Sequence, residues 1–119
     1  MDQAFRKSHR VRTRSDFSAI RRDAKKYVAP RFLCFYLKRK GGGVRLALSC
    51  STRYGNSVER NRWKRWIREW FRTGRSSLED LDLHFVARGT APGREKAVIL
   101  KYKQILNGDL SRLLEYLGR

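Results

Sequence analysis

Apolar residues recur with a helical period in three places and gather into strand-like runs in three others. The longest helical pattern covers residues 55–72. At about 100° per residue, Trp63, Trp66, Ile67, Trp70 and Phe71 fall on one broad arc. Asn61, Lys64, Arg65, Arg68 and Arg72 fall on the opposite arc. Asn56 or Ser57 can accept hydrogen bonds from the first free N–H groups. Glu59 in the first turn and Arg72 in the last suit the helix dipole. Earlier, Thr13-Arg14-Ser15-Asp16 has the form of a capping box, with Asp16 in place of the usual Glu or Gln. It predicts a helix over about 14–25 with Phe17, Ile20 and Ala24 on one face. Phe17 can serve there as a core anchor or as an aromatic exposed beside a groove. The last pattern starts near Lys101, where Tyr102, Ile105, Leu106, Leu110, Leu113, Leu114 and Leu117 keep i, i+3, i+4 spacing. Gly108 interrupts it at a cost of about 1 kcal/mol relative to Ala. The stripe stays in phase across the glycine, so one helix is expected; the alternative is a new helix capped by Asn107.

The strand-like runs are Phe32–Leu37, Val44–Ser49 and Asp82–Arg88. The first is apolar on both faces, so periodicity does not say which side faces inward. Lys38–Gly43 is basic and rich in turn residues and reads as a hairpin loop between the first two strands. Gly89–Gly93 is a loop, and Ala97–Leu100 could pair briefly as a strand. Strands with helices on one side make an α+β layer. A chain of 119 residues implies one domain. Residues 1–12, with Arg6, Lys7, His9, Arg10 and Arg12, read as a flexible basic arm.

Charge narrows the partners. The net charge is +18 and is uneven: residues 1–78 hold 22 Lys/Arg against 5 Asp/Glu, whereas residues 79–119 hold 7 against 6. Within the helix at 55–72 only Glu69 can pair locally with Arg65 or Arg72. Such a one-signed ridge waits for a polyanion, either nucleic acid or an anionic membrane surface. No stretch approaches the roughly 18 apolar residues of a membrane span. Cys34 and Cys50 have neither metal-site nor redox-motif spacing and read as buried free thiols in a reducing cytoplasm. His9 and His84 stand far apart in sequence. Neither a Ser/His/Asp set nor a phosphate-binding glycine loop is apparent. No cluster of carboxylates or histidines of the kind a protein-only nuclease uses to hold metal is seen. Catalytic and metal-ligating residues are therefore expected to be absent.

The segment Gly55-Asn56-Ser57-Val58-Glu59-Arg60-Asn61-Arg62-Trp63-Lys64-Arg65-Trp66-Ile67-Arg68-Glu69 resembles the signature of the bacterial ribonuclease P protein subunit, close to G-N-A-V-x-R-N-R-I-K-R-L-I-R-E. The resemblance extends to Asp16-Phe17, the aromatic strand at 32–37, Leu46-Ala47-Leu48-Ser49, Val86-Ala87-Arg88, and the spacing of Tyr102, Ile105, Leu110 and Leu113. It implies a two-layer α/β sandwich like a ribosomal-protein domain, with about four strands and three helices. Its βαβ crossover through the signature helix would be left-handed, against the usual preference. It also implies a cytoplasmic RNA-binding subunit that needs no protein partner. With a catalytic RNA it would remove the 5′ leader from precursor tRNA, the RNA performing hydrolysis and holding most of the Mg²⁺.

Carried over by position, Arg60, Asn61, Arg62, Lys64, Arg65 and Arg68 would face the catalytic RNA. Phe17, Phe35 and Ser49 would line a central cleft for the single-stranded leader, as suits a groove of stacking aromatics with basic rims. Trp63, Trp66 and Trp70 depart from the Ile, Leu and small residue usual there, and Trp70 could be forced toward the surface. Arg21 replaces an apolar residue one turn after Phe17, which makes that end of the cleft more cationic. Two other classes compete: a structural ribosomal RNA-binding protein, and a membrane-surface protein using a Trp/Arg helix. The first leaves the setting of Arg60-Asn61-Arg62 unexplained, and the second leaves the aromatic strands unexplained.

Overall fold

Among the described residues, seven elements follow one another: α1 (Arg14–Asp23), β1 (Lys25–Val28), β2 (Phe32–Lys38), β3 (Arg45–Ser49), α2 (Ser57–Gly74), β4 (Leu81–Ala87) and α3 (Lys96–Leu117). They are seen in a computed structural model that describes residues 9–11, 13–74 and 78–118. The Thr13 hydroxyl caps α1 by accepting the Asp16 N–H at 3.1 Å. The Asp16 carboxylate accepts from Arg45 Nη1 at 3.0 Å and is held by Thr13 as well, through that residue's backbone and hydroxyl. α1 stops at Asp23, short of the predicted 25, because Ala24 is already extended. The chain then enters β1, a strand the sequence pattern did not announce. Only Tyr27 in Lys25-Lys26-Tyr27-Val28 is partly buried, so this lysine-rich edge strand shows no apolar alternation.

The sheet is ordered β1-β2-β4-β3. The expected hairpin at Lys38–Gly43 is therefore not one: β4 lies between β2 and β3, antiparallel to the first and parallel to the second. The hairpin is β1–β2, closed by the Ala29 N–H donating to the Phe32 carbonyl at 2.9 Å. Turn residues signal a change of direction, not which strand becomes the neighbour. Gly41, Gly42 and Gly43 all have positive φ, a run that glycine alone adopts without strain. This loop is pinned to the start of β4 by the Gly43 N–H donating to Asp80 Oδ1 at 2.7 Å.

Strand alternation divides the apolar residues between two faces. Phe32, Cys34, Leu46, Leu83 and Phe85 join Trp63, Ile67, Phe71, Leu106, Leu110 and Leu113 in the main core beneath α2 and α3. Each fully buried Leu or Phe stabilises by about 1.5–3 kcal/mol. On the other face, Ala47 meets Ile20 and Val11, flanked by Phe17, Ala24, Phe35 and Leu37. The α+β class, four strands and three helices are as expected, with α2 and α3 forming the helical layer on one side and α1 lying across the opposite face.

α3 begins at Lys96, so residues 97–100 are its first turn and not a strand. Val98 and Leu100 are exposed there, whereas Ile99 between them packs on the main core. The helix continues through Gly108 without a break. Residues 9–11 are tied down: the Val11 N–H donates to the Leu46 carbonyl at 3.1 Å, and Val11 is buried. The basic arm predicted for residues 1–12 thus ends in an anchored segment, and residues 1–8 and 12 lie outside the described residues.

Candidate nucleic-acid interface

α2 is started by a reciprocal capping box. The Glu59 N–H donates to Asn56 Oδ1, and the Asn56 N–H donates to Glu59 Oε1, each at 2.9 Å. Asn56, not Ser57, is the capping side chain. Trp63, Trp66, Ile67 and Phe71 are buried as the pattern predicts. Trp70 is half-buried, not expelled, and meets Phe85 edge-on with ring centroids 5.5 Å apart.

With the apolar arc fixed inward, the basic residues divide by angle. Arg62 sits at one rim with its guanidinium over the Trp66 ring at 5.6 Å. Asn61 and Arg65 form the exposed crest. Lys64 and Arg68 occupy the other rim and border a cavity of about 210 Å³ with Arg10, Val11, Phe17 and Leu48. Arg60 Nε and Arg62 Nε are buried donors without acceptors. Among the described residues, no carboxylate forms an ion pair with Arg60, Arg62, Lys64, Arg65 or Arg68.

Phe17, Phe35 and Ser49 converge on a residue that sequence reasoning passed over, His84. In register, His84 of β4 lies between Phe35 of β2 and Ala47 of β3. Its Nε2 is 2.8 Å from Ser49 Oγ. Phe17 meets the imidazole edge-on at 5.9 Å and Phe35 is tilted against it at 6.1 Å. Phe17, Ile20, Arg21, Phe35 and His84 enclose a cavity of about 190 Å³, and Phe17 also lines the cavity beside Lys64 and Arg68. Phe17 and Phe35 are both half-buried: each packs on the small core under α1 and shows a face to the cleft. Burial pushes the His84 titration below its ordinary value. The only sequence signal for His84 was a polar ring two residues after Asp82, at an alternate position of β4.

The sequence profile of the family described as Ribonuclease P matches residues 5–114. The chain belongs to the ribonuclease P protein family. A ribonuclease P protein component of Streptococcus pneumoniae is 34% identical over 85 residues, which is 71% of this chain and 69% of the relative. The fold resembles that of the Staphylococcus aureus RNase P protein, with a TM-score of 0.75 at 24% identity over 93% of this chain and 98% of that one. It also resembles the Thermotoga maritima protein, with a TM-score of 0.71 at 24% identity over 90% and 96%.

As a ribonuclease P protein component, the chain works with an RNA subunit in tRNA processing. The holoenzyme is an endoribonuclease whose RNA subunit is catalytic. Among the described residues, no group of three or more His, Cys, Asp or Glu is placed to hold a metal ion. No described helix is long and apolar enough to cross a membrane. Cys34 and Cys50 are free thiols, and burial raises the titration of both.

Proposed function

We propose that the chain acts as one domain with two RNA-facing surfaces. The outer face of α2, with Asn61, Arg62 and Arg65, docks on the catalytic RNA together with the half-buried Arg60 in its first turn. The cleft formed by Phe17, Phe35, Ser49 and His84 holds the 5′ leader of precursor tRNA. Lys64 and Arg68 stand at the seam and serve both. Mg²⁺ is held mainly by the RNA, the complex works in the cytoplasm, and no protein partner is needed. The supporting observation is the convergence of two half-buried aromatic rings, from α1 and β2, on one cavity with His84, whose ring nitrogen meets the Ser49 hydroxyl, beside the cationic rim of α2. Flat faces between basic edges suit an unpaired, variable strand, because stacking and backbone charge require no fixed sequence.

A photoreactive nucleotide placed in the leader tests this within the assembled enzyme. Cross-links should map to peptides containing Phe17, Phe35 or His84 and should disappear with leaderless tRNA. Cross-links confined to α3 would contradict the assignment.

A further inference from the structure

An alternate position on this face of the sheet could be filled by a β-branched aliphatic side chain with no loss of strand propensity. Instead the cleft has a titratable ring at its centre. His84 keeps Nε2 on Ser49 Oγ, and its ring borders the cavity shared with Phe17, Phe35 and Arg21. The charged groups around it are arranged one way. Arg21 of α1 lines the same cavity, and Arg10, Lys64 and Arg68 line the adjoining one. Lys26 of β1 stands opposite Phe35 in register. On the sheet itself, Asp82 lies two residues before His84 but is held by Arg45 and Arg39, and Asp16 is held by Arg45. Among the described residues, every charged side chain lining the two cavities is thus a cation.

Burial opposes a protonated imidazole, and the charged side chains placed nearest to it along the two cavities are of like sign. A leader strand reverses both the field and the hydrogen-bonding demand. Its phosphates neutralise the cations and offer acceptors to a ring whose two nitrogens both donate once it is charged. We infer that His84 is a proton-linked leader contact, meeting the leader strand as imidazolium so that leader docking takes up one proton. This rests on the assignment of the cleft to the leader. Linkage fixes the sign: a proton taken up on binding makes affinity rise as pH falls, by at most about tenfold per pH unit.

The test is equilibrium binding by the assembled holoenzyme of a non-cleavable precursor tRNA and of leaderless tRNA, between about pH 5.5 and pH 8. The affinity advantage given by the leader should grow by about threefold to tenfold toward acid. His84→Phe keeps a flat ring but cannot take the proton, and should leave that advantage independent of pH. The same pH slope in His84→Phe as in the parent would overturn the inference. If Phe17→Leu lowers the leader advantage while His84→Phe keeps the slope, the cleft stands and only the proton linkage fails. If Phe17, Phe35 and His84 substitutions all leave the advantage untouched, the cleft assignment itself fails. A second readout avoids dependence on the folding of the variant. In the full chain carrying His9→Gln, the imidazole NMR signals report His84 alone. Added single-stranded oligouridylate should raise its titration midpoint, and an unchanged or lowered midpoint would contradict the proposal.

Discussion

Asp82 is 3% exposed, yet it is charged, and two arginines hold it. Arg45 Nε and Nη2 donate to its two oxygens at 2.8 Å each, and Arg39 Nε lies 3.4 Å from Oδ1. Arg45 also reaches Asp16, so one side chain ties α1 to the sheet and fixes Phe17 over His84. Removing Arg45 leaves the buried Asp82 with Arg39 alone, 3.4 Å away. Arg45→Met should therefore cost up to about 3–5 kcal/mol in urea unfolding. The Arg45 hydrogen bond, with help from Thr13, holds the Asp16 titration below its ordinary carboxylate value of 3.8. A depressed carboxylate stabilises above its unfolded value and loses that contribution as pH falls through the folded value. Anchoring of α1 should accordingly be constant from neutrality down to about pH 5 and weaken below pH 4. Amide exchange in α1 measured against pH would show it, and an Asp16→Asn variant should lack the acid-side change. At this scale the sequence pointed to Phe17, Phe35 and Ser49 through family resemblance. It did not point to His84, because nothing along the chain reports that positions 35, 49 and 84 become neighbours across three strands.

At the scale of elements, strong caps and unbroken apolar stripes were legible and weak edges were not. α2 was readable because Asn56, Glu59 and five apolar residues agree on one helix. The signature glycine has a local reason: a Cβ at Gly55 would lie 2.7 Å from Glu59 Oε1, in the space used by the capping carboxylate. Asn56→Ala should destabilise by about 1 kcal/mol, measured by thermal unfolding. α3 makes the opposite prediction. A Cβ at Gly108 would meet only Arg112 Nη1, at 4.0 Å. Gly108→Ala should thus stabilise the fold by up to about 1 kcal/mol through helix propensity alone, seen as a higher midpoint in urea. β1 and the first turn of α3 escaped the sequence reading because each sends only one partly buried apolar side chain to the core, Tyr27 and Ile99, while Val28, Val98 and Leu100 remain exposed. The supposed hairpin at Lys38–Gly43 failed for a different reason. Its composition fits a tight turn, but the partner of β2 is chosen by the β3–α2–β4 crossover, which is a non-local decision.

For the whole molecule, the field decides the partner. The cationic excess lies in the first two thirds of the chain, which builds α1, all of α2 and three of the four strands. The last third supplies β4 and the packing helix α3. Arg60→Ala, Arg62→Ala and Arg65→Ala combined should weaken binding to the catalytic RNA while circular dichroism stays native. Each lost phosphate contact should lower the salt slope by about 0.7–0.9. The division between RNA docking and leader binding is tested most directly by replacing the two aromatic platforms. Phe17→Leu and Phe35→Leu keep most apolar volume and remove the flat ring, and loss of one stacking platform costs about 1–3 kcal/mol. The measurement is the affinity of the assembled enzyme for precursor tRNA against mature tRNA. Each variant should lose affinity for the precursor by that amount, with mature tRNA and assembly with the catalytic RNA little changed. Equal losses for both tRNAs, or a collapse of thermal stability, would contradict it and place both rings in the core alone.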